Sequence, residues 1–370
     1  MRRFTKVVGL SLALMFTQTA CDNSKPAARY PRPGYAPRPG YPPQPGYPPP
    51  PGQPRPGYPP RPGYPPPQGQ PPPPRGGAPL PQPAPLPPSP PVVNDPLNFV
   101  DINFMRQRAQ QVIGELKSAL PNNQRGMVQA VPLVVDDKVG EVNAFAACIN
   151  GKALMAISDG LLEIQAQMAR ARASDEVFGT RKFDEYLRFI VKNQRPNKPI
   201  VRPPVGFYNP VQDVDGRKVQ RQHQLFDEEL AFVLGHELAH HYLGHTGCAG
   251  PQSAAVSPQD LGRVLSRAVP GFNQPNEIGA DTNGTNNLLS AGARRQGYHW
   301  TEGGALLTLN FFLALRNMSP AEAILFGFEL SHPHPAFRIP IVRSTANNWR
   351  KSGGKSTPWT FPFPGLGFSQ

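Results

Sequence analysis

Carboxylates are almost missing from the first quarter of this chain. Up to residue 91, Asp22 stands alone against ten lysines and arginines. From residue 92 onward 28 basic residues face 24 acidic ones. Most of the formal charge of +13 therefore sits in the N-terminal part. No basic stripe with interleaved aromatics follows it, which argues against a nucleic-acid-binding protein. Such a charge favours an anionic membrane or wall surface instead. Long apolar runs are scarce too: the run from Val7 to Phe16 is too short for a stable transmembrane helix. Cysteine is rarer still, with three residues in the chain.

Proline is what the chain has in excess. Of its 51 prolines, 32 fall between Pro26 and Pro91, in a broken P-x-P-G-Y pattern. Such a stretch cannot bury a core and is expected to be disordered, extended polyproline II interrupted by glycines. At full extension it would reach roughly 200 Å. Arg2, Arg3 and Lys6 ahead of the apolar run read as an export signal over residues 1–20. Cys21 follows Thr19-Ala20 as the lipidated cysteine of a bacterial lipoprotein signal does, with Gln18 where Leu is usual. Residues 21–93 are then a lipidation site and linker, 94–350 a folded domain, and 351–370 a flexible tail. The expected location is the cell envelope, anchored through Cys21 and facing the periplasm. The linker offers a contact for wall polymer or envelope protein. Cys148 and Cys248 remain as a candidate disulfide of an oxidising compartment, or as two small buried thiols.

Within the domain, Asp101 is placed to cap a helix running toward Leu120, stopped by Pro121-Asn122-Asn123. Val131–Val139, Val142–Ile149 and Lys152–Ile157 read as strands, the last two joined by an Asn150-Gly151 hairpin turn. Ser158 starts a helix to about Ala173, and Phe183–Val191 another. Five prolines between Pro196 and Pro210 imply an irregular excursion. Later helices are expected after Ser257-Pro258, from Gln274, over Leu306–Leu315 behind Thr301, after the Ser319-Pro320-Ala321-Glu322 capping box, and up to about Trp349.

The chemistry concentrates between Phe226 and Gly247, read as a helix with Asp227, Glu228 and Glu229 in its first turn. His236, Glu237 and His240 form H-E-x-x-H. Residues four apart on a helix point the same way, so both imidazoles can ligate one zinc ion while Glu237 faces a water. Glu277 supplies a carboxylate for the third ligand position. Asp281, one turn later, is placed to accept a hydrogen bond from a ligating histidine and fix its tautomer. His241 and His245 read as helix-surface or C-terminal-turn residues.

These residues carry a resemblance. Asn143-Ala144-Phe145-Ala146 with Gly160-Leu161-Leu162, the joined His236–His240 and Glu277–Asp281 motifs, and His332-Pro333 followed by Arg338 resemble three elements of one zinc metallopeptidase family. It is the family of CAAX-prenyl endopeptidases, HtpX-type proteases and periplasmic quality-control proteases. The resemblance implies an α+β fold, mostly helical, with a small sheet whose edge strand (Asn143, Ala144, Phe145, Ala146) borders the active-site helix and receives extended polypeptide substrate. It implies a metalloendopeptidase in which zinc held by His236, His240 and Glu277 acts with Glu237 as general base. His332 or His334 is then a candidate donor to the oxyanion, and Arg338 a partner for Asp281. The soluble exported members are the nearer comparison, with unfolded or misassembled envelope proteins as substrates. A peptidoglycan-peptide hydrolase and a chaperone-like assembly factor are the competing functions.

Overall fold

The computed structural model describes residues 90–195, 197–248, 274–318 and 332–356. The signal, Cys21, nearly all of the linker, the helix expected after Ser257, the Ser319–Glu322 capping box and most of the tail lie outside the described residues. The fold is α+β and mostly helical, with one three-stranded sheet. No described helix is long and apolar enough to cross a membrane.

Asp101 accepts hydrogen bonds from the amides of Asn103 and Phe104, and α1 (Ile102–Ala119) follows. Pro121 does not simply stop the chain. It opens a short further helix, α2 (Asn122–Val128), where its missing N–H costs nothing. Next come β1 (Leu133–Asp136), β2 (Ala144–Ile149) and β3 (Lys152–Ser158). The sheet order is β1-β3-β2, with β1 parallel and β2 antiparallel to β3. Asn150 and Gly151 close the β2–β3 hairpin with φ of 50° and 75°, the left-handed pair that a two-residue turn demands. The first strand is shorter than its apolar run suggests for a specific reason. Its partner β3 ends at Ser158, whose hydroxyl turns to cap Leu161 N of α3 (Asp159–Phe178). Asp136 meanwhile accepts from Lys138 N and bends the chain away. Gly179, at φ 66°, terminates α3 in a left-handed cap.

After α4 (Lys182–Asn193) and the single turn α5 (Pro210–Asp213), Asp215 caps α6 (Gly216–Tyr242). This helix begins ten residues earlier than expected. Every residue from Leu225 to Tyr242 is buried. It packs against α1, α3, β2, α7 (Gln274–Gly292) and α8 (Gly303–Met318), so it is the axis of the domain rather than a surface helix. The last helix, α9 (Pro335–Lys351), starts with Pro at its first position and lies against α7 and α8.

Candidate metal centre and active site

His236 and His240 lie one turn apart on α6, with their Nε2 atoms 3.2 Å from each other. What brings α7 to them is a glycine contact. A Cβ on Gly284 would lie 2.8 Å from His236 N and 3.0 Å from Gly235 C, so only glycine lets the two backbones cross this closely. Glu277, two turns earlier on α7, then reaches the histidines. Its Oε2 lies 3.4 Å from His236 Nε2 and its Oε1 3.5 Å from His240 Nε2. A tetrahedral zinc with bonds of about 2.0–2.1 Å has ligand-to-ligand edges of roughly 3.3–3.4 Å. The observed triangle has that size. Both Glu277 oxygens are buried and accept no hydrogen bond, leaving their lone pairs for an ion. The donor set fits a metal, and His236, Glu277 and His332 likewise present ligand atoms within 4.8 Å of one another.

Behind the triangle, Asp281 Oδ1 lies 2.9 Å from His236 Nδ1, which fixes the ring with Nε2 toward Glu277. Arg338 of α9 clamps the same carboxylate through Nη2 to Oδ1 at 2.7 Å and Nε to Oδ2 at 2.9 Å. Burial opposes ionisation of Asp281, but Arg338 and His236 outweigh it and hold the acid well below the carboxylate range. Burial and Arg338 also push His236 down, yet Asp281 and Glu277 prevail and raise it to about 9. Burial, then the charges of His236 and His332, drives His240 far below its ordinary value. Two buried carboxylates, Glu277 and Asp281, thus face the imidazoles and favour a cation between them. His240 Nδ1 meets His245 Nδ1 at 3.0 Å, a contact the sequence reading missed.

Glu237, 1% exposed, faces His332, whose Nε2 lies 3.3 Å from Glu237 Oε1. The two histidines of His332-Pro333-His334-Pro335 thus part company. His332 enters the site, while His334 accepts from Ala336 N at 3.2 Å and caps α9. His241 is not a surface residue. It is fully buried, with Nε2 2.9 Å from Leu154 O, and ties α6 to the central strand.

Asn143 leads into β2, its carbonyl accepting from Ser158 N at 2.9 Å. Ala144, Phe145 and Ala146 follow on an edge strand that packs against α6. Cys148 at the far end of β2 is joined by a disulfide to Cys248, just beyond α6. The strand is thereby fastened to the segment that follows the helix.

A model of peptidase family M48 matches residues 106–257, which takes in the edge strand and the H-E-x-x-H helix but ends before Glu277. The match supports a metallopeptidase of that family, whose members depend on a metal that is typically zinc. No curated protein and no solved structure matches the chain.

Proposed function

We propose that the chain is a zinc-dependent endopeptidase that cleaves unfolded or misassembled cell-envelope proteins. The observation that carries this reading is the triangle of His236, His240 and Glu277 donor atoms with 3.2–3.5 Å edges and the Glu237 carboxylate beside it. Zinc held there would supply a Lewis acid and lower the pKa of the attacking water. Glu237 accepts that water's proton and passes it to the leaving amine. The contact of His332 Nε2 with Glu237 supports His332, rather than His334, as the histidine that orients Glu237 and donates to the developing oxyanion. Arg338 and Asp281 hold the His236 ring, so its aim is set before substrate arrives.

Substrate recognition follows from the sheet. Asn143, Phe145, Ala147 and Ile149 pair inward with β3, so alternation turns the amides of Ala144, Ala146 and Cys148 toward the open edge. An extended chain pairing there gains affinity from its backbone and little selectivity from its side chains. That suits unfolded substrates. The Cys148–Cys248 disulfide agrees with an oxidising compartment. Together with the basic, proline-rich N-terminal part it supports a periplasm-facing domain anchored through Cys21.

Elemental analysis should find about one zinc per chain, and none in a protein with both His236 and His240 replaced by Ala. Chelation should stop hydrolysis of unfolded casein, and added zinc should restore it. Equal zinc in the double variant would refute the ligand set. Cleavage of peptidoglycan peptides in place of casein would turn the assignment toward a wall hydrolase.

A further inference from the structure

Helix α6 ends in a turn that brings another histidine to the metal centre. Gly244, at φ 80°, takes the left-handed conformation that glycine adopts without strain. The chain then folds back on the helix. Gly244 N donates to His241 O at 3.0 Å, and His245 N to His240 O at 2.9 Å. These are the paired hydrogen bonds of a Schellman cap, which sets the second residue past the cap beside the third residue before it. That pair frequently closes the motif with an apolar contact. Here both members are histidines, and their Nδ1 atoms lie 3.0 Å apart. Two further restraints fix the turn. Cys248, shortly after His245, is bonded to Cys148 of β2. The His245 ring rests against α7, with Cε1 3.5 Å from where a Cβ on Gly279 would stand.

The far side of His240 decides where the protons go. That ring is fully buried, with Nε2 3.2 Å from His236 Nε2 and 3.5 Å from Glu277 Oε1. An Nε2 that offers its lone pair to a metal leaves the ring proton on Nδ1, which is then a donor. The His245 nitrogen that faces it must accept, so the His245 proton sits on Nε2. His236 leans on the carboxylate of Asp281, whereas His240 leans on a neutral imidazole.

We propose that His245 is the positioning residue of the second metal-ligating histidine. By accepting from His240 Nδ1 it fixes that ring's tautomer and aims Nε2 at the position shared with His236 and Glu277. This role rests on the metal reading of those three residues and extends it by one contact. The cap alone does not call for an imidazole here, since an apolar side chain closes such a turn as well. Stability and metal affinity should therefore respond in opposite directions when the acceptor is removed.

The test titrates zinc into metal-free, full-length protein against a chromophoric chelator. His245→Leu supplies the apolar contact and removes the acceptor. It should weaken zinc binding by about 10–100-fold, while the metal-free variant unfolds at the wild-type temperature or above. His245→Asn puts an amide oxygen where Nδ1 stood, so it should bind zinc within about threefold of wild type. Cobalt gives a second readout. Its visible spectrum should match wild type in His245→Asn and change in His245→Leu, where the His240 ring is free to turn. A residue that only shaped the turn would lower the unfolding temperature and leave the affinity alone. Zinc affinity unchanged in His245→Leu, or lost equally in both variants, would overturn the role. Wild-type protein that takes up no zinc would overturn the metal reading itself, and this role with it.

Discussion

Asp227, Glu228 and Glu229 are adjacent, buried and differently employed. Asp227 takes Arg108 Nε at 2.6 Å and Arg295 Nη2 at 3.2 Å. Glu228 caps the start of α8, accepting from Thr301 N at 2.7 Å and Gly304 N at 3.0 Å. Glu229 is fully buried, and neither of its oxygens has a partner. Burial and then Glu228 raise it well above its ordinary value, so it is carried as the neutral acid. An acid with a raised folded pKa is ionised first in the unfolded state. Above the unfolded value of 4.5 the folded state then holds more protons, and stability falls as pH rises. Glu229→Gln removes this titration. Its stability relative to wild type should rise as pH climbs above 4.5, with a slope of at most about 1.4 kcal/mol per pH unit. Parallel curves of unfolding free energy against pH would contradict it. The two site-loop histidines allow a sharper contrast. His332→Ala should lower kcat by roughly 10²–10³, while His334→Ala loses only a cap worth about 0.5–1 kcal/mol and leaves kcat within about twofold. Equal kinetic losses in the two variants would contradict the assignment.

Among the elements, α6 and α7 make the site because they cross at two glycines. An added methyl at Gly284 meets backbone atoms at 2.8–3.0 Å, and no side chain can rotate to relieve that. Gly284→Ala should therefore move Glu277 off its histidines and weaken zinc binding by about 10–100-fold, measured by competition with a chromophoric chelator. Unchanged zinc affinity would mean the crossing is not what sets the triangle. Much of this level was legible in the sequence. Asp101, Ser158 and Thr301 announced their helix starts, Asn150-Gly151 its hairpin, and His236, His240 and Glu277 their common aim. What failed was the start and the surroundings of α6. A helix buried on every side from Leu225 to Tyr242 has no polar face to reveal which way it looks. Three acidic residues there mimic a first turn, and His241 mimics a surface residue. The partners that explain them come from the sheet and from residues 108, 295, 298 and 301, which local pattern does not locate. The Gly235–Gly284 contact left no trace in sequence either, since helix-interior glycine announces no partner.

For the whole molecule, the described domain is tied down from its first residues. Val92 N donates to Val214 O at 2.7 Å, Asp95 accepts from Leu97 N at 3.1 Å and Asn98 N at 3.0 Å, and Leu97 is fully buried. A chain shortened to begin at Pro90 should keep its zinc and hydrolyse casein within about twofold of the full-length rate. The proposed anchor at Cys21 predicts that full-length protein fractionates with membranes and that the shortened chain does not. Loss of folding on truncation would give the proline-rich part a structural role this account denies it. The central claim is that Glu237 performs base catalysis at a metal held by its helix neighbours. Glu237→Gln keeps the shape and can still hydrogen-bond a water but cannot take its proton. The most direct measurement is casein hydrolysis by Glu237→Gln, with zinc content determined on the same sample. A rate lowered by about 10²–10⁴-fold at unchanged zinc is expected, and wild-type hydrolysis by the zinc-loaded variant would contradict base catalysis by Glu237.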